Sequence, residues 1–357
     1  MILVHTSDLH LGSALSTRLT GAKQRERRRE LIDSFIRITE EACLRGARAI
    51  VIAGDLFDTV RPPRTLKSEI LDIIRACPDI DFLYLAGNHE GTALYGDGGD
   101  LPNNLKLFYN DWTYYDYGAV TIAGRNRLEN GMFDSLRLDP CKKNIVVLHG
   151  AISEGAVTGG DTIGLKDAMG RGIDYLALGH YHTYSKTVID ERGYAVYCGT
   201  PEGRGFDEVG PCGISLISTD GEHLRSEFIP TAKREMVIKR VDVSDCTSTA
   251  EVNAAIAESL KEISGRHLVR AVLKGKHIPE LKIDTAALAM RYERDFYYIE
   301  VKDESGIIIN PEDYRYDRTL KGEFIRLVLD RENISPETKD RIIRLGIGAL
   351  MGDIDEI

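Results

Sequence analysis

The stretch "FLYLAGNHEG", residues 82–91, sets an apolar run directly against Asn88, His89 and Glu90. Phe82, Leu83, Tyr84 and Leu85 read as a buried strand. Gly87 with Asn88 would supply the turn that ends it. A turn leaves His89 unexplained, so the reading depends on whether other buried strands end the same way. They do. "ILVHTSDLH" ends with Asp8 and His10, "AIVIAGDLFD" with Asp55 and Asp58, "NIVVLHG" with His149, and "YLALGHYH" with His180 and His182.

Taken alone, each cluster has an ordinary explanation. A D-x-H after a strand is commonly a turn, and a lone histidine such as His149 is more often a satisfied buried side chain than a ligand. G-H-x-H is stronger, because extended backbone would project His180 and His182 from one side. Five of the nine histidines fall in these clusters. Five strands delivering Asp, Asn and His to one edge point to a metal site. Between the strands, residues 22–46 carry an apolar stripe at Leu31, Phe35, Ile38 and Ala42, and residues 64–76 follow Pro62 and Pro63. Alternating strands and helices predict an α/β domain, in which ligands gather outside the carboxyl ends of strands.

Composition narrows the class. A chain of 357 residues is too long for one small core and predicts two domains with an appended tail. No stretch approaches the ~20 apolar residues that span a bilayer. The N-terminus goes directly from a short strand into polar residues, unlike a signal peptide, so a cytoplasmic location and no membrane partner are expected. Cys43, Cys77, Cys141, Cys198, Cys212 and Cys246 are scattered without a C-x-x-C pair, against a disulfide framework or a zinc-thiolate site. A net charge of −10 argues against binding nucleic acid through the overall field, yet leaves room for a local patch. Between Arg18 and Arg48, nine basic residues face five acidic ones; Arg25, Arg27, Arg28 and Arg29 are its densest part. Such a run is either a solvated helix face or a contact for backbone phosphate.

The candidate ligands are carboxylates, imidazoles and one amide, a mixture suited to manganese, iron or zinc. They exceed what one ion needs. Two ions about 3.5–4 Å apart, bridged by one carboxylate, would use them all and suit in-line displacement at phosphorus.

In this order, D-x-H, G-D-x-x-D, G-N-H-E, H-G and G-H-x-H resemble the calcineurin-like metallophosphoesterases over roughly residues 1–230. Within them the chain looks most like the SbcD-type nucleases of double-strand-break repair. "TSDLHLG" from Thr6, "GDLFDT" without the Arg-Gly of protein phosphatases, and "YCGTPEGRGFDEVG" at 197–210 carry that likeness. Glu90 departs from it, since those nucleases often have Asp there. The resemblance implies a β-sandwich flanked by helices. It implies one ion on Asp8, His10, Asp55 and His182, and a second on Asp55, Asn88, His149 and His180, with Asp55 bridging. His89 would be a non-ligand acid for the leaving oxygen, oriented by Asp58.

From about residue 231 the order becomes β-α-β-α-β, with strands in "REMVIKRVDVSD", "HLVRAVLKGK" and "DFYYIEVKD" and helices over 248–263 and 284–292. This resembles the same nucleases' small α/β capping domain, against the alternative of a generic α/β appendage. The expected domains are 1–230, 231–310 and a helical segment 311–357. In the last, Ser335 and Pro336 predict a helix start, and Ile343, Ile347, Leu350 and Ile354 form one apolar stripe, interrupted by Gly346, Gly348 and Gly352. The stripe either packs on the cap or docks on a partner. Residues 91–104 read as a long surface loop near the site's rim.

The resulting expectation is a two-metal phosphodiesterase, manganese-favouring with iron or zinc as alternatives, acting on DNA in repair as an exonuclease first, with endonuclease cleavage as a secondary activity. Expected partners are DNA, an SbcC-like coiled-coil ATPase and a second copy of the chain. The rivals are a phosphatase or cyclic-nucleotide phosphodiesterase on the same site, and a binding protein without catalysis.

Overall fold

A computed structural model describes residues 1–15, 17–96, 100–155, 157–278, 280–308 and 316–351. Two compact units emerge, Met1–Met236 and Val237–Ile357. The first begins with β1 (Ile2–Thr6), α1 (Gly21–Leu44), β2 (Ala47–Ala53), α2 (Arg64–Arg75), β3 (Asp81–Leu85) and β4 (Leu105–Leu107). Next come β5 (Thr113–Asp116), β6 (Val120–Gly124), β7 (Lys143–His149), a small ribbon of β8 (Ala151–Ser153) and β9 (Thr162–Gly164), and the single turn α3 (Leu165–Ala168). It ends with β10 (Tyr175–Gly179), β11 (Ser185–Val188), β12 (Tyr194–Tyr197), β13 (Gly213–Ser218) and β14 (Arg225–Pro230).

Two six-stranded sheets result, ordered β14-β13-β1-β2-β3-β4 and β11-β12-β10-β7-β6-β5. In each, the strands that precede the polar clusters run parallel: β1 with β2 and β2 with β3 in one, β7 with β10 in the other. Side-chain alternation explains the layers. Val4, Ile50, Ile52, Phe82 and Tyr84 face the helices, meeting Leu31, Phe35, Ile38 and Ala42 of α1 and Ile70 and Ile74 of α2. Leu3, Val51, Ala53, Leu83 and Leu85 point the other way, onto Ile145, Val147, Ala177 and Val196 of the second sheet. Val146, Leu148, Leu176 and Leu178 then bury the outer face of that sheet under Met132, Phe133, Ile163 and Leu165. Strands buried on both faces require uninterrupted apolar runs, which is why they are legible as such. The β-sandwich flanked by helices is therefore the fold, and the two helices read from the sequence are α1 and α2.

The basic run on α1 corrects one expectation. Arg27 is fully buried, pairing with Glu30 at 2.7 Å and Glu202 at 2.6 Å and donating to the Gly203 carbonyl at 2.5 Å. It sits one turn from Leu31 on the helix's inner face, so it is a structural cation and not a DNA contact. Arg37 pairs with Glu202 at 2.6 Å, and Lys233 and Arg234 with Glu30 at 2.8 and 2.9 Å. This network fastens α1 to the chain at 202–203 and 233–234. Arg25, Arg28 and Arg29 remain exposed, with Arg29 engaged by Asp33 and Glu69.

The second unit comprises β15 (Met236–Asp242), α4 (Thr249–Leu260), β16 (Leu268–Lys274), β17 (Lys276–His277), α5 (Thr285–Arg291), β18 (Tyr298–Asp303), β19 (Gly306–Ile307), α6 (Leu320–Leu329) and α7 (Pro336–Met351). The sheet β15-β16-β18 packs α4 and α5 through Val252, Ile256 and Leu288 against Val269, Ala271 and Val301. Ser248 and Asp284 cap the two helices by accepting from Glu251 N and Ala287 N. Residues 309–315, where the sequence reading divides cap from tail, lie outside the described residues.

Helix α7 runs unbroken through Gly346 and Gly348, with Ser335 Oγ accepting from Thr338 N at 3.3 Å. Ile343 and Ile347 bury against Ile325 and Val328 of α6. At Gly346 a Cβ would come within 2.2 Å of the Phe324 ring, so this glycine permits close helix packing and does not interrupt the helix. The Leu350 side chain, Gly352 and Ile354 fall outside what is described. Among the described residues no helix is long and apolar enough to cross a membrane.

Burial raises the pKa of Glu30, but Lys233, Arg27 and Arg234 outweigh it and hold the value below the ordinary 4.5. A depressed folded pKa contributes stability above the unfolded value, lost as pH falls through the folded value. Glu30→Gln is therefore expected to cost about 3–5 kcal/mol at pH 7, as breaking a buried ion pair does. Melting curves at decreasing pH should show mutant and wild type converging in acid; a constant gap would assign the loss to packing.

Candidate metal centre

Parallel strands bring the polar clusters to one edge. Asp8 and His10 follow β1, Asp55 and Asp58 follow β2, Asn88 and His89 follow β3, His149 ends β7, and His180 and His182 follow β10. Gly179 pairs with His149 in register, which sets His180 beside it; the two rings lie 5.6 Å apart. Among the described residues the non-glycines with positive φ are Asp8 (53°), His10 (45°), Asp55 (54°) and His180 (112°). Each such conformation costs on the order of 1–3 kcal/mol and persists only where surroundings impose it. Here Asp8 N donates to Gly54 O at 3.0 Å, His10 N to Asp55 O at 2.9 Å, and His180 N to Asp8 Oδ1 at 3.0 Å.

The donor atoms converge. Those of Asp8, His10 and His182 lie within 4.8 Å of one another, as do those of Asp8, Asp55 and His149, and those of His10, Asp58 and His89. Asp55 Oδ2 is 3.2 Å from His149 Nε2 and 3.7 Å from His10 Nε2, so one carboxylate stands between two imidazoles. His149 Nδ1 is 2.9 Å from the Ala53 carbonyl, which makes it the donor and turns Nε2 toward the cluster. Asn88 and His89 are exposed at the end of β3; the His89 backbone donates to Asp55 Oδ1 at 3.1 Å, and its ring lies 5.1 Å from His10. The direct ion pairs of Asp58 are with His10 Nδ1 at 3.1 Å and Arg204 at 3.5 Å. Expectation and structure part at G-H-x-H. Strand β10 stops at Gly179, and the two histidines diverge, His180 toward His149 and His182 toward His10.

Three glycines make room for the cluster. A Cβ on Gly87 would sit 2.1 Å from Asp55 Oδ1, and one on Gly54 would sit 2.2 Å from His149 Nδ1. One on Gly179 would sit 2.0 Å from Ala53 O. Asp8 and Asp55 are buried, and burial raises the Asp8 pKa. Burial acts likewise on Asp55, but His149 and His10 hold it down at about 2. His149 is pushed up to about 9: burial opposes its charge, but Asp55 and Asp8 prevail. His10 falls to about 3 through burial and Arg204. The buried Nε2 of His10 makes no hydrogen bond, and that of His149 faces Asp55 Oδ2. Oxygen and imidazole donors around two buried carboxylates together fit divalent ions, and the donor set is large enough for two.

Three supporting residues escape sequence reasoning. Glu90 is buried and accepts from Leu56 N at 2.9 Å, Phe57 N at 2.8 Å and Gly87 N at 3.2 Å, so it clamps the loop after β2 to the loop after β3. Burial pushes its pKa to about 7. Glu208 Oε1 lies 2.8 Å from His182 Nδ1 and 2.5 Å from Arg204, whose guanidinium is also 3.1 Å from that nitrogen. Glu208 thus fixes the His182 tautomer with Nε2 toward Asp8, 3.9 Å away. For Arg204 and Glu208 the only sequence signal is their position inside 197–210.

Glu208→Gln removes the charge that orients His182 and neutralises Arg204. Metal affinity is expected to fall about 10–100-fold, the usual cost of losing such support. Competition against a chelating dye measures it; unchanged affinity would remove Glu208 from the centre.

Comparison with known proteins agrees with this geometry. A model of the calcineurin-like phosphoesterase family matches residues 1–184. The DNA double-strand break repair protein Mre11 of Methanosarcina acetivorans is 26% identical over 287 residues, covering 73% of this chain and 44% of that protein. The chain thus spans less than half the length of that relative. The Mre11 protein of Sulfurisphaera tokodaii is 26% identical over 376 residues, covering 96% and 91%. The SbcD component of the SbcCD nuclease of Staphylococcus epidermidis is 23% identical over 389 residues, covering 97% and 98%. With the family match extending over more than half its length and five motifs meeting at one strand edge, the chain belongs to the calcineurin-like phosphoesterase family.

Proposed function

We propose that this chain is a two-metal phosphodiesterase that cleaves DNA, chiefly as an exonuclease, in double-strand-break repair. The observation that carries the reading is the carboxylate–imidazole cluster around Asp55 in a chain similar, almost end to end, to a nuclease component. Asp8, His10, Asp55 and His182 would hold one ion, and Asp55, Asn88, His149 and His180 the other, manganese being favoured over iron or zinc. When bound, such a pair activates water and neutralises charge on the phosphoryl oxygens. The residues do the rest. Asp55 keeps the two halves in register from between His10 and His149. His89, exposed beside His10, delivers a proton to the leaving oxygen. Asp58 would orient His89, whose donor atom shares a 4.8 Å cluster with those of Asp58 and His10, while the direct pairing of Asp58 is with His10 Nδ1.

DNA would be met by exposed arginines of α1, chiefly Arg25 and Arg28, since Arg29 is already paired. The second unit would serve as the cap. The remaining proposed partners are a second copy of the chain and an SbcC-like coiled-coil ATPase. Docking on the ATPase cannot use Ile343 and Ile347, which α6 covers; the exposed Leu320, Leu327 and Leu345 of the α6–α7 hairpin would carry it.

End-labelled DNA, a phosphomonoester and a cyclic nucleotide, each with Mn²⁺ and with EDTA, test the reading. DNA cleavage that EDTA abolishes is expected; preferential hydrolysis of either small substrate would replace it. Asp55→Ala should lose metal and activity together, and two manganese ions still bound would refute the bridge. His89→Ala should keep its metal and lose about 10²–10⁴-fold in rate. Loss of metal there would make His89 a ligand. Replacing Arg25 and Arg28 together by Ala should flatten the slope of log affinity against log salt by about two. An unchanged slope would leave α1 outside the DNA path.

A further inference from the structure

Beside the metal edge lies a pocket of about 460 Å³ that the chemistry above leaves unused. Tyr95, Tyr109, Asn110, Asp111, Trp112 and Asn126 line it. Its walls follow β3, β4 and β6. The first two are parallel to each other and the third is parallel to β7, so the pocket opens on the edge that holds His149. Tyr95 belongs to the turn that continues G-N-H-E, five residues after Glu90.

The pocket is built, not incidental. Asn126 Oδ1 accepts from Ala86 N at 3.1 Å, its Nδ2 donates to Phe108 O at 2.8 Å, and its backbone N donates to Tyr109 O at 2.7 Å. One residue therefore ties the base of the G-N-H-E loop to the tyrosine wall. Trp112 is held by its Nε1 donating to Met132 O at 3.0 Å and by Arg125, 5.7 Å from its ring. Tyr109, by contrast, is 54% exposed, a large aromatic face offered to solvent.

The lining selects its occupant. It contains one carboxylate and no lysine or arginine, which disfavours a phosphate there. Aromatic faces with an adjoining carboxamide and carboxylate suit a flat, neutral heterocycle with donors and acceptors at its rim. We propose that this pocket takes an unpaired nucleobase of the strand being cut, stacked on Tyr109; the assignment rests on the DNA reading given above. Stacking is tolerant of base identity, so the pocket would hold a frayed or single-stranded end without reading its sequence. Holding that base beside the G-N-H-E loop positions the adjoining phosphodiester at the cluster.

Trp112 is the one tryptophan of the chain, so its fluorescence reports the pocket. The full chain in EDTA is titrated with a single-stranded hexadeoxynucleotide, the same oligomer built of abasic residues, and free deoxyadenosine. The base-bearing oligomer should quench Trp112 and bind at least about fivefold tighter than the abasic one, the lower bound for one stacked base. Tyr109→Ala should lose that difference and Tyr109→Phe, which keeps the stacking face, should retain it. Equal binding of both oligomers, an unaffected Tyr109→Ala variant, or no response of Trp112 to oligomer or nucleoside would each overturn the pocket. If deoxyadenosine quenches Trp112 through Tyr109 while DNA stays uncut with Mn²⁺, the nuclease reading falls and the pocket stands. If base-bearing and abasic strands bind equally and DNA is cut, the reverse holds.

Discussion

Two carboxylates, Asp8 and Asp55, are buried within a few ångströms of each other where the two sheets meet. Much of the first unit answers that constraint. Buried anions require positive charge nearby, and Asp55 and Asp8 hold the pKa of the His149 imidazole well up against burial. The strand ends carry candidate donors in left-handed backbone, held by hydrogen bonds between loops of different strands. The cost of that backbone, several kcal/mol over four residues, is sustained by three buried cores in which the central strands β1, β2, β3, β7 and β10 are covered on both faces.

A second layer of charge holds the centre from behind. Arg27, Glu30, Glu202 and Arg234 knit α1 to the segment that supplies Arg204 and Glu208. Glu202 and Arg204 are near neighbours on one short stretch, so the ion pairs that anchor it also place Glu208 against His182. Pairs of this kind add little net stability over an apolar core, but they fix one arrangement among many. Their use here is positional.

How much of this is legible in the sequence follows from the range of each interaction. Apolar runs and the residues after them are local, so the five strands, α1, α2 and the conjunction of Asp, Asn and His at one edge read correctly. The alternation in the second unit read equally well, because β15, β16 and β18 and the helices between them obey their own periodicity. Arg27 did not, since a buried guanidinium looks like its exposed neighbours until Glu202, far along the chain, is brought to it. Glu90 was visible only as a substitution; its three backbone donors come from two loops that sequence does not juxtapose. G-H-x-H misled because extended geometry was assumed past Gly179, where the strand has ended. Gly346 misled in the opposite sense: propensity counts it against a helix, while Phe324 needs the space.

The glycines at 54, 87 and 179 carry one more consequence. Each is pressed so closely against Asp55, His149 or the Ala53 carbonyl that no side chain could be admitted. The donor groups therefore stand against main chain, which yields far less than a side chain would. Zinc fingers gather their ligands only as they fold, and their metal supplies folding energy. This centre is instead a mould set by the sandwich, and an ion entering it has little chain left to order. Selection among ions then falls to radius and preferred coordination number, imposed by walls that do not readily relax.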